Sequence, residues 1–536
     1  MAKATRVIPV ATIGYPDVSR NVAFLSPAAG QHHAREGTHL RRQLLKTILV
    51  LMDSLNRHYL KPYNPDSWVQ TPNLCRLAER GLVFDNHYAG SLPCMPARRE
   101  MMTGRYNFLE TPWGPIEPWD DCLPTELRRQ KDTYTHLITD HYHYFHRGGN
   151  GYHYLFNSWE FVRGQESDVW RPRVARQFPP EGARESRASK NHAYWSNRGT
   201  MDPENDTDYT TPQCFKKAID FLDHNHAQDN WHLHLEVFDP HEPFDCPSRY
   251  RDLYDDTYDG PHFTWPNYEH LDAELDGTDT VDHIRKCYAG SLTMADAWLG
   301  KLLGKMDDLD LWEDTVLILT TDHGHLLGEH QYWAKNYMFV YNELAHTPMI
   351  VCAPGIAPGR RQGLTATIDL MPTLMDLHGA DLPTHVQGKS FGPLIEDDVE
   401  HHDWVLYGYF GKDINMTDGK TTYCRQPTPG ATLYHHTACP ADFNSLNRKR
   451  LRQAEVGNFL PAAGGIPHYR VPCGSSRHHN APDFNPIYNL MDDPGQTAPL
   501  CDPDREPKFA RIMAEKLMAA DAPECQFDRV GLTRPS

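Results

Sequence analysis

Short apolar runs alternate with amphipathic segments through most of the chain, from about residue 46 to residue 400. The run at 47–53 is continuously apolar and ends on an acid, which predicts a central strand buried on both faces. The next segment, 71–81, places Pro72 in a first turn and Gly81 at a stop, which predicts a helix. The ordered part of the chain therefore begins with a strand and a helix, as α/β proteins do.

The same two patterns recur further along the chain. Strands are predicted at 82–90, 135–145, 231–244, 314–324 and 347–355, and helices from near Pro96, at 288–306 and at 367–379. Because strands and helices alternate, we expect a doubly wound, mostly parallel sheet with helices on both faces. The polar residues 147–210 are expected to form irregular insertions near a substrate entrance.

Three regions follow from the change of pattern along the chain. Residues 1–44 show no sustained period and are interpreted as an N-terminal arm or leader. Residues 45–400 form the main α/β domain. After about residue 400 the sequence turns to Gly, Pro and Tyr with short strand-like runs, so 401–536 is expected to be a smaller α+β subdomain with short antiparallel strands.

Charge and cysteine usage narrow the classes of partner. A formal net charge of −18 disfavours polyanions, so we expect neither nucleic-acid nor membrane binding, and an anionic substrate would need a locally positive pocket. The 12 cysteines include no C-x-x-C pair, so most are interpreted as reduced thiols rather than zinc ligands. Since the start of the chain has no signal-peptide core and no apolar run reaches about 18 residues, we expect a cytoplasmic protein.

Acids and imidazoles stand at the ends of the predicted strands. Asp53, His241 and the pair Asp322–His323 each follow one of them. One such residue is more often a cap or a turn, but ligand sites form where the carboxyl ends of strands meet. Oxygen and nitrogen donors suit a divalent cation.

Cys94 lies at the start of a predicted helix, beside Arg98 and Arg99. A helix N-terminus and two guanidinium groups predict a lowered thiol pKa and a reactive residue. The alternative is a buried structural thiol.

The sequence around Cys94 also carries a resemblance. Cys-Met-Pro-Ala-Arg at 94–98, followed by Thr-Gly-Arg at 103–105, closely resembles the C-x-P-x-R…TGR signature of the formylglycine-dependent (type I) sulfatases of the alkaline phosphatase superfamily. Further segments resemble motifs of that family in the same order, and they lie at 71–81, 239–244, 321–330 and 486–500. The DHG form of the metal motif points to the intracellular arylsulfatases and phosphonate monoester hydrolases.

The resemblance implies an alkaline-phosphatase-like fold and hydrolysis of sulfate esters of small molecules. It implies that a formylglycine-generating enzyme oxidises Cys94 to formylglycine, whose hydrate attacks the ester. A phosphonate monoester or phosphodiester hydrolase with the same apparatus is the alternative. A non-catalytic protein that keeps the fold, and a phosphatase or transferase on the same scaffold, are weaker alternatives. Relatives of this kind are often dimers or tetramers, so a homo-oligomer is expected.

The resemblance also assigns roles to single residues. One divalent ion, Ca²⁺ or Mn²⁺, would be held by the metal residues, which are Asp53, Asp322, His323, Cys94 and Asn56. The catalytic residues would be Cys94, Arg98, His241, Lys335, His141 and His143. Arg98 would orient residue 94, Lys335 and His241 would assist the leaving group, and a histidine of the 141–143 loop would act as base.

Two positions depart from the family pattern. The residue after Asp53 is Ser54 rather than an acid or amide, so Ser54, Asn56 or a water would complete the metal site. Asp140 stands near the position where the family has a lysine, so His141 or His143 would take over that role.

Overall fold

The apolar run at 47–53 forms a central strand, Lys46–Met52, in the computed structural model. The structure describes residues 46–428, 430–441 and 446–535, so the predicted arm at 1–44 lies outside the described residues. The strands in chain order are β1 (Lys46–Met52), β2 (Leu82–Phe84), β3 (His87–Tyr88), β4 (Ser91–Leu92), β5 (Tyr134–Thr139), β6 (Ser158–Phe161), β7 (Trp231–Val237), β8 (Thr315–Thr320), β9 (Leu326–Leu327), β10 (Trp333–Ala334), β11 (Met349–Cys352), β12 (Gly359–Arg361), β13 (Thr365–Ala366), β14 (Val405–Tyr409), β15 (Ile414–Thr417), β16 (Thr421–Arg425), β17 (Thr432–Thr437), β18 (Glu455–Gly457), β19 (His468–Gly474) and β20 (Ile487–Asn489).

Helices connect these strands. In chain order they are α1 (Pro72–Arg80), α2 (Cys94–Thr103), α3 (Leu123–Lys131), α4 (His192–Arg198), α5 (Thr210–Asn225), α6 (Ser248–Arg251), α7 (Thr278–Asp308), α8 (Asn342–Ala345), α9 (Leu370–Leu377), α10 (Gly392–Glu396), α11 (Arg448–Leu451), α12 (Glu506–Ala519) and α13 (Glu524–Arg529).

The main sheet has eight strands in the order β12-β2-β11-β8-β1-β7-β5-β6. Strand β11 runs antiparallel to both its neighbours, and the other neighbouring pairs are parallel. Because β1, β7 and β8 are parallel and adjacent, their carboxyl ends meet at one edge. The predicted α/β fold with a mostly parallel sheet is confirmed.

Helices cover both faces of this sheet. Ile48, Val50 and Met52 of β1 belong to a core with α1, α5 and α7. Leu49 and Leu51 belong to a second core with α2, α3 and α9. Successive strand side chains point to opposite faces, so the continuous apolar run is explained by a sheet buried on both sides.

Several predicted elements differ in extent. The segment 135–145 is only partly a strand, because β5 ends at Thr139 and Tyr142–Phe145 is a 3-10 helix. The insertion at 147–210 contains β6, which pairs in parallel with β5 at the sheet edge, and helix α4. The helix predicted from Pro96 begins two residues earlier, at Cys94.

The C-terminal residues form two further sheets. Strands β14, β15, β16 and β20 make a sheet of mainly antiparallel pairs that also takes in β4, the strand just before Cys94. Strands β17, β18 and β19 make a three-stranded antiparallel sheet. The described residues belong to one compact unit. Within them, no helix is both long enough and apolar enough to cross a membrane.

Candidate active site

The predicted metal residues follow two adjacent strands. Asp53 comes directly after β1, and Asp322 and His323 come after β8. These strands are paired in parallel register, with Leu51 opposite Thr320. The sheet itself therefore places the carboxylates and the imidazole side by side.

Four of the predicted metal residues form one buried cluster. The donor atoms of Asp53, Cys94, Asp322 and His323 all lie within 4.8 Å of one another. Cys94 Sγ lies 3.4 Å from His323 Nε2 and 4.0 Å from Asp53 Oδ1. His323 Nδ1 donates to the carbonyl of Gly324 at 2.8 Å, which leaves Nε2 as the free donor atom towards the cluster.

Arg98 makes hydrogen bonds to three members of this cluster. Its guanidinium donates to Asp53 Oδ2 at 2.8 Å and to Asp322 Oδ2 at 2.6 Å, and its Nε donates to Glu236. It also donates to the carbonyl of Cys94 at 3.0 Å, one turn back on the same helix. The fork of Arg98 therefore fixes the carboxylates and residue 94 relative to each other.

The charges in this centre fit a divalent cation. Asp53, Asp322 and Glu236 are fully buried, whereas Arg98 and Lys335 supply two positive charges. Buried charge without a partner is costly, so the excess of carboxylate favours a bound cation. Burial alone would raise the pKa of Asp53, but Arg98 and Lys335 bring this pKa down to about 2. Burial lowers the pKa of His323, so its imidazole is neutral and able to bind a metal.

Cys94 differs from the prediction in its ionisation. Burial, and then the charge of Asp53, raise the pKa of the Cys94 thiol well above its usual value. The expected help from Arg99 is absent, since its guanidinium binds both oxygens of Asp120 at 2.7 and 2.9 Å. The prediction of a lowered thiol pKa is therefore wrong, because the thiol is desolvated and faces a carboxylate. An unmodified Cys94 would be a weak nucleophile here.

Lys335 reaches the cluster from the loop after β10. Its ammonium donates to Ser54 Oγ at 3.0 Å and to Cys94 Sγ at 3.5 Å, and only 2% of the residue is exposed. Burial would lower the pKa of Lys335, but the carboxylates of Glu242 and Asp53 hold this pKa above its usual value. A permanent positive charge therefore lies against residue 94.

His241 lies in the turn after β7. Its Nδ1 is 2.5 Å from the carbonyl of Glu242 and therefore carries the proton, which leaves Nε2 as an acceptor. Burial lowers the pKa of His241 well below its usual value, although the Glu242 carboxylate opposes this shift. Glu242 Oε2 lies 3.3 Å from His241 Nδ1 and 3.5 Å from His325 Nδ1, so one oxygen contacts both imidazoles.

The two histidines of the 141–143 loop are both buried. His141 stacks on Phe238, with ring centroids 5.1 Å apart, and neither of its ring nitrogens makes a hydrogen bond within the described residues. His143 Nε2 lies 3.8 Å from Glu166. Burial, and then the charge of Arg98, lower the pKa of His141, so this imidazole is neutral. Asp140 braces the same loop by accepting from Thr210 at 2.7 Å.

Asn56, also predicted as a metal ligand, uses both ends of its side-chain amide in hydrogen bonds. Its Oδ1 accepts from the backbone N–H of His58 at 2.9 Å, and its Nδ2 donates to the carbonyl of His325 at 2.8 Å. Both ends of the amide therefore make hydrogen bonds within the loops after β1 and β8. The Ser54 hydroxyl links Asp53 to Lys335: it donates to Asp53 Oδ1 at 2.9 Å and accepts from the Lys335 ammonium.

Sequence reasoning missed three residues of the centre: Glu236, Glu242 and His325. A glutamate near the end of the apolar strand β7 was the available signal for Glu236, since an acid in such a strand needs a buried partner. No comparable signal marked His325, because its role depends on a carboxylate about 80 residues away in the chain.

Comparison with known proteins identifies the family of this chain. The family model described as Sulfatase matches residues 46–380, more than half of the chain. Choline-sulfatase of Rhizobium meliloti (strain 1021) is 24% identical over 442 residues, which cover 74% of this chain and 81% of that protein. Arylsulfatase K of Homo sapiens is 24% identical over 444 residues, covering 74% and 75%.

A solved structure shares the fold. The phosphonate monoester hydrolase of Agrobacterium radiobacter aligns with a TM-score of 0.62 and 18% sequence identity, covering 89% of this chain and 95% of that chain.

Proposed function

We propose, on the premise that this chain belongs to the sulfatase family and hydrolyses sulfate esters, that residue 94 acts after oxidation of Cys94 to formylglycine. The observation that carries the proposal is the position of Cys94 at the N-terminus of α2, packed against Asp53, Asp322 and His323. Its raised thiol pKa disfavours chemistry by a thiolate. A hydrated aldehyde at this position supplies one hydroxyl to attack the ester and a second to release sulfate.

Arg98 and Lys335 hold and polarise residue 94. Arg98 has no solvent exposure and is fixed by three carboxylates, so it orients this residue without losing entropy during turnover. Lys335, 3.5 Å from Cys94 Sγ, places a positive charge beside the attacking oxygen and the sulfate group. The N-terminus of the ten-residue helix α2 adds a favourable dipole for the same anion.

Proton transfers fall to the neutral histidines. His241 Nδ1 donates its proton to the carbonyl of Glu242, so Nε2 is the ring nitrogen that accepts a proton. The protonated Nε2 then donates this proton to the leaving-group oxygen. His141 has two buried nitrogens without a hydrogen bond in the described part of the chain, so it is the proposed base for the second hydroxyl of residue 94.

Asp53, Asp322 and His323 would hold one divalent cation together with residue 94. Such an ion would supply positive charge to the sulfate group and would lower the pKa of the attacking hydroxyl. Of the two candidates, Mn²⁺ accepts an imidazole donor more readily than Ca²⁺, so we propose Mn²⁺.

The test of the nucleophile is mass spectrometry of the peptide that contains residue 94, from protein co-expressed with a formylglycine-generating enzyme. Active protein should carry a residue about 18 Da lighter than cysteine, the difference between a thiol and an aldehyde. Cys94→Ala should lose activity by at least about 10³-fold, whereas Cys439→Ala, at an exposed cysteine, should keep it. Full activity in Cys94→Ala would overturn the proposal.

A second candidate activity is cleavage of phosphonate monoesters, since the fold is shared with a phosphonate monoester hydrolase. Both esters present an anionic centre to the same buried cations. Values of kcat/KM for 4-nitrophenyl sulfate and for a phenylphosphonate monoester should favour the sulfate. A higher value for the phosphonate would reverse this order.

We also propose that the chain is cytoplasmic, matures with a formylglycine-generating enzyme and forms a dimer or tetramer. All twelve cysteines are free thiols, in keeping with a reducing compartment. Light scattering coupled to size-exclusion chromatography measures the oligomeric state, and a monomer at micromolar concentration would exclude the proposed assembly.

A further inference from the structure

A second group of metal-ligating side chains lies outside the catalytic centre. It consists of Asp369, His401 and His402, whose ligand atoms all lie within 4.8 Å of one another. Asp369 ends the short 3-10 helix before α9 and has no solvent exposure. The two histidines lie in the segment between α10 and β14, so the group joins two distant parts of the chain.

Both imidazoles approach the same carboxylate. His402 Nε2 lies 2.9 Å from Asp369 Oδ1 and 3.0 Å from Oδ2. His401 Nε2 lies 3.3 Å from Oδ2. In a tetrahedral zinc site with bonds of about 2.0 Å, ligand atoms are about 3.3 Å apart, close to these separations.

Asp369 has lone pairs left for this group. One backbone N–H reaches each oxygen: that of Lys389 donates to Oδ1 at 2.8 Å, and that of Ala366 donates to Oδ2 at 2.9 Å. Two carboxylate oxygens offer about four acceptor positions in total. The remaining positions face the histidines.

A simple hydrogen bond explains only one of the two histidines. His402 can donate Nε2–H to Asp369, which accounts for its position. His401 Nε2 is buried and makes an ion-pair contact with Oδ2 of the same carboxylate at 3.3 Å, but this contact does not have the geometry of a hydrogen bond. A buried polar nitrogen without a hydrogen bond is costly, and a metal ion would satisfy it.

The group also borders a cavity through which an ion and water can enter. This cavity has a volume of about 760 Å³, and both histidines line it. Four carboxylates line it as well, those of Asp398, Glu400, Asp403 and Asp418, against the two lysines Lys389 and Lys420. The excess of negative charge favours a cation over an anion.

We propose that Asp369, His401 and His402 bind one divalent transition-metal ion of the Zn²⁺ class, with water from the cavity as the fourth ligand. Two imidazoles and one carboxylate are donors that Zn²⁺ accepts readily, whereas Ca²⁺ and Mg²⁺ prefer oxygen alone. The ion would fix the segment that leads into β14, and β14 pairs with β4 directly before the helix of Cys94. Its role is therefore to join the C-terminal sheet to the catalytic domain.

The test is the number of Zn²⁺ ions bound per full-length chain. Protein stripped with a chelator is titrated with ZnCl₂ alone, and bound metal is measured by elemental mass spectrometry after desalting. The double variant His401→Gln/His402→Gln should bind one ion fewer than the wild-type chain and lose part of the zinc-induced rise in Tm. The matched control, His224→Gln/His270→Gln, changes two exposed histidines and should bind as many ions as the wild type.

Equal zinc content in the double variant and the wild type would overturn the proposal. Should the double variant not fold, anomalous diffraction at the zinc edge from wild-type crystals replaces it. A peak between Asp369 and the two histidines supports the site, and its absence at saturating zinc overturns it. Because none of these residues belongs to the catalytic centre, failure here leaves the role of residue 94 untouched.

Discussion

One buried guanidinium organises the catalytic centre at the scale of single residues. Arg98 is fully buried and binds Asp53, Asp322 and Glu236. A lysine could not replace it, because only the planar fork of arginine serves several carboxylates in fixed directions. Glu236 does not contact residue 94 in this network, so it acts by positioning Arg98.

Glu236→Gln should lower kcat by about 10–100-fold with KM nearly unchanged, as expected when a partner of a catalytic group is removed. Glutamine can still accept a hydrogen bond but has no charge to hold the guanidinium. Steady-state kinetics on 4-nitrophenyl sulfate measures both parameters.

The control for this variant is Glu160→Gln, at a half-exposed glutamate on edge strand β6 that pairs with Lys217. This substitution should leave kcat unchanged. A Glu236→Gln protein with wild-type kcat would show that Asp53 and Asp322 alone position Arg98.

Strand β7 shows how one element serves both the core and the site. Leu233, Leu235 and Val237 pack in the core with α5 and α7. His232, His234 and Glu236 alternate with them and point to the opposite face, where Glu236 meets Arg98. The sequence HLHLEV is therefore a strand with one apolar and one polar buried face.

His234→Leu should change the pH dependence of stability. Burial, and then the charge of Arg98, lower the pKa of His234 to about 3, whereas an unfolded histidine titrates near its usual value. Below about pH 6.5 the unfolded wild-type chain therefore binds more protons than the folded chain, and its free energy of unfolding falls by up to about 1.4 kcal/mol per pH unit through this residue.

The leucine variant lacks this loss, so its stability relative to the wild type should rise as the pH falls from 6.5 towards 4. Urea unfolding at pH 7.5, 6 and 5 measures the difference. His224→Leu, at an exposed histidine, is the control and should show no such trend. A difference between His234→Leu and wild type that is independent of pH would mean that His234 has the same pKa in the folded and the unfolded chain.

Helix α2 ends at Gly104, the glycine of the Thr-Gly-Arg motif, where a larger residue does not fit. Gly104 has φ +63°, and its carbonyl accepts from the backbone N–H groups of Gln387 and Gly388. A Cβ at this position would lie 2.9 Å from Val386 Cγ1. The glycine of the Thr-Gly-Arg motif therefore serves the turn after the catalytic helix.

Gly104→Ala should reduce the free energy of unfolding by about 1–2 kcal/mol or more, from the left-handed backbone and the contact with Val386. Gly464→Ala separates the two causes, since Gly464 has φ +55° and no neighbouring atom within 4 Å of its Cβ position. Urea unfolding should show the larger loss at Gly104. Equal losses would assign the whole effect to backbone strain.

At the scale of the whole molecule, the C-terminal residues are part of the catalytic fold. One hydrophobic cluster joins Phe108 and Leu109, which follow the catalytic helix, to Phe509 and Met513 of α12. Strand β4 likewise belongs to the C-terminal sheet. Disturbing α12 should therefore weaken the active centre.

Met513→Ala should lower the free energy of unfolding by about 2–5 kcal/mol, because it opens a cavity in that cluster. Catalytic activity and far-UV circular dichroism should be lost together, at a lower urea concentration than in the wild type. Met518→Ala, at an exposed position of the same helix, is the control. Activity that persists to the wild-type urea concentration would show that the C-terminal sheet unfolds independently.

The local sequence is enough to predict the fold class and the family, and its contiguous motifs propose Cys94, Arg98 and the acids at the strand ends as site residues. The fold class and the acids follow from local pattern, because strands buried on both faces appear as apolar runs and end at the ligand edge of the sheet. The family, Cys94 and Arg98 follow from the resemblance of the motif at 94–105. Three features depend on the tertiary structure: the raised pKa of Cys94, the pairing of Arg98 with Glu236 and the pairing of β4 with the C-terminal sheet. Each of these features depends on burial or on contacts between distant parts of the chain. Neither burial nor such contacts can be predicted from neighbouring residues in the sequence.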